Sequence, residues 1–488
     1  MAIARGRPAK YGNAAKIGLY LPLSATGMLM KRATPLPFLA LVLLCLVALF
    51  VKGWGADEPK GGPSNPGDIA WMLTASGLVL LMTPGLSFFY GGMVSFKNVV
   101  STMLQSLVAL GVISLVWVVV GFSLAFGNDI GGLIGNPMTF LMFDGVGEAT
   151  NAKLSPTIPL LVFAMFQLKF AIITPALITG SFAERVRFSA YLVFMVLFSL
   201  FIYAPLAHWT WHPDGIFFKW GVKDFAGGTV VHMSAGFAAL AGAMMLGRRH
   251  SHVANQTHEP ANVPFVILGT GMLWFGWFGF NAGSAMGASG LAATAFATTN
   301  TASAAAMLSW MFFDWMKGNK PSALGACIGA VVGLVAITPA AGFVTIRESI
   351  VIGVVASVIS NLAVHWKTRS TLDDTLDVFP CHGVGGITGM IMTGVFAKDV
   401  GLTSGKYETF FYHLLALVIV AVFAFGGSWL LYKITDLVIP LRVTYDQETL
   451  GLDLSQHGES ALGSDLLGGV HANGNGAIKQ SELAANLS

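Results

Sequence analysis

Charge is what this sequence has least of. Asp, Glu, Lys and Arg make up 10% of its 488 residues, where a soluble globular domain carries about 25%. Apolar side chains fill the deficit at 55% of the chain, and mean hydropathy is +0.70. A soluble core does not need so many, so the composition points to a polytopic membrane protein. Cysteine is scarce as well. Cys45, Cys327 and Cys381 lack metal-ligand spacing and make a disulfide framework an unsuitable reading. No basic run interleaved with aromatics points to nucleic acid, and a net charge of +3 says little about partners.

What is present is a series of long apolar segments. The N-terminus is laid out as a targeting segment: Lys31 and Arg32, an apolar run over 38–51, then the small-x-small triplet Gly53-Trp54-Gly55. That order predicts a signal peptide within residues 1–55, cleaved near Gly55 with loss of Cys45. Initiation at Met28 or Met30 would give a more ordinary signal, and an uncleaved first helix is the alternative. A Gly/Pro-rich linker over 56–68 follows. Apolar segments then start near Ile69, Val99, Thr157, Arg187, Phe225, Asn262, Leu291, Ser322, Ser349, Gly383 and Phe410. Spanning takes roughly 20 apolar residues, and helices are the reasonable form at this length. The expectation is an all-α polytopic membrane domain of eleven helices over 69–440. With a cleaved signal the mature N-terminus lies outside. Arg185, Arg187, Arg248, Arg249, Lys317 and Lys367 then fall in inner loops, a modest bias in the expected direction. The polar, acidic tail over 441–488 would lie in the cytoplasm, its last part (460–488) Gly/Asn/Ser-rich and lacking the composition of a fold.

The segments hint at a repeat. Ile-Thr-Pro-Ala occurs at 173–176 and at 337–340. His232 in the fifth segment is matched by His382 in the tenth, each with an acid upstream (Asp224, Asp377) and a glycine four residues on (Gly236, Gly386). Units of five helices invert the second half relative to the first, giving a pseudo-twofold 5+5 repeat plus a last helix, with the binding site between the halves. Gly228, His232 and Gly236 share one helical stripe, so another helix can approach and leave little room for water. An ionisable group there is costly without a task.

Three readings of the two histidines compete: hydrogen-bonded structural residues, haem or metal ligands, or a polar thread passing a proton or small amine through an apolar pore. The pairing across the repeat weakens the first, and the lack of further ligands or a cofactor motif weakens the second. Phe166 and Phe170 stand at i, i+4, as do Phe280 and Ser284. Each pair alone reads as ordinary packing. With Trp211 they would form aromatic faces plus one hydroxyl acceptor, a setting for a small cation bearing N–H donors.

PGLSFFYGGMVSFKN, ITPALITGSFAERVRFSA, DFAGGTVVH, GWFGFNAGSA and DVFPCHGVGG resemble, in order, signatures of the ammonium transporter family (Amt, with Mep and the Rhesus proteins as relatives). So does the tail segment GLDLSQHGE at 451–459. The resemblance covers about residues 69 to 459 and is to a bacterial Amt type. It implies a homotrimer in the inner membrane with one pore per subunit, taking up ammonium or ammonia without a cofactor. Trp211, Phe170 and Ser284 would recruit ammonium, with Asp224 shaping that site from behind. Phe166, Phe170 and Phe280 would form an aromatic gate, and His232 and His382 the twin histidines of the pore. Asp374, Asp377, Gly451, His457, Gly458 and Glu459 would belong to a cytoplasmic, regulatory face that a PII-type signalling protein plugs. Trp211 favours a transporter over a Rhesus-like gas channel. Lys169 departs from the family, which has an apolar or small residue there; an intramembrane lysine costs about 2.5–3.5 kcal/mol on insertion scales. Either it points off the pore, or its charge adjoins the recruitment site and slows transport. The latter keeps open an ammonium-binding sensor with little flux. A membrane haem or redox enzyme using the two histidines is the other alternative.

Overall fold

The computed structural model describes residues 36–55, 60–254 and 258–461. Lys31, Arg32, the candidate starts, part of the linker and the tail beyond 461 lie outside the described residues. Two units separate at Val51. The first contributes one helix, α1 (Leu36–Phe50), whose 15 residues are short of the roughly 20 that span a bilayer.

The second unit begins with α2 (Pro66–Met93). Asn65 caps it by accepting from the Gly67 and Asp68 amides, and Pro66 occupies the first turn, where a missing N–H costs nothing. α3 runs from Val99–Val116 through a π turn, Trp117–Gly121, into Phe122–Phe126. Then come α4 (Leu160–Ile178) and α5, which joins Phe188–Phe198 to Ala204–Trp211 by a π turn. α6 starts as a π turn, Gly228–Met233, and continues as Ser234–Leu246. α7 (Val263–Gly283), α8 (Gly290–Met316), α9 (Ala323–Ile337) and α10 (Ile346–Thr368) follow. α11 repeats the pattern of α6, a π turn Phe379–Val384 ahead of Gly385–Phe396, and α12 is Glu408–Val438. Each expected apolar segment is therefore helical. Eight of these helices are long and apolar enough to cross a membrane by length and composition. α8 falls short because it is rich in alanine and hydroxyls, α9 because it has 15 residues, and α11 because it is short and rich in glycine.

The all-helical expectation needs one amendment. Between α3 and α4 the chain forms two small antiparallel hairpins, β1 (Asp129–Ile130) with β2 (Ile134–Gly135), and β3 (Thr150–Asn151) with β4 (Ser155–Pro159). Gly131 and Gly132 turn the first with φ of +68° and +75°, a conformation open mainly to glycine.

α6 and α11 cross at the centre. A Cβ on Gly236 would lie 2.3 Å from the Gly383 Cα, and one on Gly386 3.1 Å from the Gly228 carbonyl oxygen and 3.2 Å from the His232 Cβ. The helices touch backbone to backbone, as the glycine stripe predicts.

Candidate functional site

The site starts at an acid. Oδ1 of Asp224 accepts the Gly227 and Gly228 amides at 2.9 and 2.6 Å, and Oδ2 accepts the Thr229 amide at 2.7 Å and its hydroxyl at 2.5 Å. This one buried carboxylate satisfies the donors that a helix start leaves open. With Gly227 at φ +114°, the amides of Val231 and His232 both reach the Gly227 carbonyl. That sharing makes the π turn and sets His232 on the face toward α11.

The second half does the same with a different acid from the one expected. Asp374, not Asp377, precedes His382 by the offset that separates Asp224 from His232. It accepts the Val378 and Phe379 amides at 3.1 and 2.7 Å. Asp377 has φ +57° and pairs instead with Lys367 at 2.7 Å. Burial pushes both carboxyls up, against the pull of Lys367, and Asp374 reaches about 6. Between about pH 4, the ordinary carboxyl value, and pH 6 the folded chain thus holds a proton that the unfolded chain has released. Stability is expected to fall as pH rises through that window. Asp373 and Glu184, held low by Arg249 and its neighbours despite their own desolvation, act below it with the opposite slope. An unfolding scan in detergent from pH 4 to 7 checks this: Asp374→Asn should lose most of the slope, and an unchanged slope refutes the assignment.

His232 and His382 meet with their Nδ1 atoms 3.3 Å apart. The hydrogen bonds around them fix which nitrogen carries each proton. The Thr338 hydroxyl donates to the Leu334 carbonyl at 2.8 Å and accepts from Trp277 Nε1 at 2.9 Å. Its proton is committed, so toward His232 Nε2, 3.3 Å away, it acts as acceptor. His232 then carries its proton on Nε2 and accepts at Nδ1, and His382 donates from Nδ1. The Nε2 of His382 is left as a lone pair.

Above the histidines the rings close the path. Phe170 and Phe280 lie 4.2 Å apart between centroids, and Phe166 packs on Phe170 at 5.0 Å. Phe280 and Trp277 flank His232 at 6.1 and 5.4 Å. Beyond this closure opens a cavity of about 410 Å³ lined by Phe170, Trp211, Asp224 and Ser284. Trp211 stands 5.7 Å from Phe170 and donates its Nε1–H to the Asp224 carbonyl at 3.1 Å. The Ser284 hydroxyl donates to the Phe280 carbonyl at 2.8 Å, so toward the cavity it presents only lone pairs. The predicted aromatic, hydroxyl and histidine positions are thus brought together. Lys169 is not among them: its side chain lines a different cavity, with Ser76, Gly77 and Met165.

Sequence reasoning missed Trp277, Thr338, and two lysines at this cavity, Lys153 and Lys223. Lys223 Nζ lies 5.9 Å from the Phe343 ring centre. Thr338 had a signal, since it sits in the repeated Ile-Thr-Pro-Ala.

At the opposite end the tail, with its short helix α13 (Tyr445–Leu450), docks on the turn that leads into α3. Asp453 caps α3 by accepting the Val100 and Ser101 amides at 3.0 and 2.7 Å, and the Leu452 amide reaches Asn98 at 2.8 Å. Gly451, at φ +101°, lets the Lys97 carbonyl within 2.6 Å of where a Cβ would stand. His457 Nε2 meets the Ser101 hydroxyl at 3.1 Å. Gly458 turns the chain at φ +68°, and the Glu459 amide returns to the Asp453 carbonyl. Asp453 was not among the expected tail residues, yet it closes the amide end of α3.

The sequence profile of the Ammonium Transporter Family matches residues 70–462. An ammonium transporter of Aquifex aeolicus is 45% identical over 423 residues, covering 85% of this chain and 97% of its own. Candida albicans Mep2 superposes with a TM-score of 0.75 at 36% identity, over 82% of this chain and 90% of its own. A sensor Amt protein superposes with a TM-score of 0.74 at 30% identity, over 80% of this chain and 98% of its own. With the paired histidines, the stacked phenylalanines and the inverted capping acids in one path, these matches place the chain in the ammonium transporter family.

Proposed function

We propose that this protein takes up ammonium across a cytoplasmic membrane, recruiting the cation outside and passing ammonia inward between the two histidines. The observation that carries this reading is the continuous order of cavity, Phe170 and Phe280, His232 and His382. An ammonium ion in the outer cavity gains about 0.5–2 kcal/mol per favourable contact with the Trp211 and Phe170 faces, and Ser284 accepts one of its N–H groups. Asp224 acts here through Trp211 and the α6 backbone, because its oxygens are engaged by amides and a hydroxyl. Past the gate a bare cation is heavily penalised and neutral ammonia is not. At the phenylalanine closure the ion gives its proton to water in the outer cavity. Ammonia then meets the histidines as its hydrogen-bonding partners, and the proton crosses separately along the same pair, so that net charge is moved. Potassium and sodium have neither a proton to release nor N–H groups to donate, and are rejected.

The protein works as a homotrimer in a bacterial inner membrane, with a cleaved signal region ahead of Gly55 and the tail in the cytoplasm. The tail docked on the loops around Lys97 offers a surface for a PII-type protein. The family contains a sensor of the same fold; the higher identity to a transporter favours uptake.

Ammonium-induced current on a solid-supported membrane tests the reading. The wild type should give a current that saturates with ammonium and ignores equal potassium. The His232→Ala, His382→Ala double variant should lose that selectivity or most of the current. A silent wild type that also admits no ammonia in a pH-dye assay would turn the assignment to sensing.

A further inference from the structure

Lys169 is half-buried on α4 and, among the described residues, makes no ion pair or hydrogen bond. Its side chain enters a lateral groove of about 380 Å³ between α2 and α4, walled by Leu73, Ser76, Gly77, Leu80 and Met165. A Cβ on Gly77 would meet nothing within 4 Å, so the groove is open to a neighbour. Asn300 is a second polar group in an apolar setting. It is exposed on α8 in a stripe with Phe296, Leu308 and Phe312.

The two residues lie at one depth. The start of α4 and the start of α8 flank the same outer cavity, through Phe163 and Leu291, and the alternating crossings run both helices inward from it. Lys169 is nine residues into α4 and Asn300 ten into α8. At about 1.5 Å per residue each sits about 14–15 Å from the outer end, at mid-bilayer. No lipid headgroup reaches that level, and an intramembrane lysine calls for a polar partner.

We infer that Lys169 of one copy donates to the side-chain carbonyl of Asn300 on a second copy, joining the α2/α4 groove to the α8 stripe. Resting on the trimeric reading above, this names the contact that sets its register. The two faces differ, so the interface is heterologous, and such contacts close into a ring when the rotation allows. A side-chain amide takes one of the three ammonium N–H groups without a buried acid, and an amide across helices is a common polar fastening in membranes.

The test uses two differently tagged full-length chains, Lys169→Cys and Asn300→Cys, co-expressed in a Cys45→Ser background. Cys327 and Cys381 are buried. A bifunctional methanethiosulfonate should link the two tags to each other, at least ten-fold above either tag to itself. Native mass in detergent is read on the same samples. A trimer without heterotypic links overturns the pair and leaves the assembly standing. A monomer overturns both.

Discussion

Replacing Asp224 with alanine is expected to abolish ammonium-induced current and to destabilise the membrane domain by several kcal/mol. The side chain is 6% exposed and its two oxygens accept from three amides and one hydroxyl. Each buried donor left without a partner costs about 1–3 kcal/mol, and alanine strands four at once. The π turn that carries His232 begins at these amides, so its loss moves the histidine and the Trp211 ring that leans on the Asp224 carbonyl. Asp224→Asn retains one acceptor oxygen and should fold with a smaller loss. Thermal unfolding in detergent, read beside the current, checks both. An Asp224→Ala protein with wild-type unfolding temperature and current would remove the capping account.

The second large effect is at Gly236. A methyl group there would stand 2.3 Å from both the Gly383 Cα and its amide nitrogen. Backbone atoms cannot swing aside as a side chain does, and Gly383 has nothing left to remove, so α6 and α11 must separate. Overpacking of this kind costs about 1–3 kcal/mol. The functional loss should be larger than the stability loss, because separation lengthens the 3.3 Å contact between the histidines on which the pore's hydrogen bonding depends. Gly236→Ala is therefore expected to lower the unfolding temperature measurably and to remove most of the current. Gly426→Ala on α12, where a Cβ meets nothing within 4 Å, should change neither. Equal behaviour of the two variants would mean that the crossing is not tight.

Much of this arrangement was legible in the sequence, for reasons that differ by residue. Gly228, His232 and Gly236 are spaced by helical turns, and that spacing alone predicts a close crossing. Phe166, Phe170 and Phe280 are legible as a gate only through the motifs that hold them, since their spacing suits ordinary packing equally well. The direction of Lys169 was not legible, because on a helix it stands about 100° from Phe170 but only about 60° from Phe166; its place in the lateral groove settles it. Asp374 was overlooked in favour of Asp377 because the recognisable motif begins at Asp377. The repeat offset, counted from the histidine, points to Asp374. The π turns left no trace in the sequence. The one that starts α6 arises because two amides share the Gly227 carbonyl, and that depends on how Asp224 holds the turn before it. Thr338 was visible only as part of a repeat; its chemical part required the geometry of Trp277 and Leu334.

The docking of the tail also bears on how the molecule is made. Asp453 closes the amide end of α3 from more than 350 positions further along the chain. A ribosome delivers α3 early and Asp453 almost last, so those amides wait through the synthesis and insertion of every later span. The loop being closed is nearly the whole protein, and the cost of closing it is met only once the helices between are packed. Seating of the tail is thus a late event in folding, and a seated tail certifies that the spans before it have found their places.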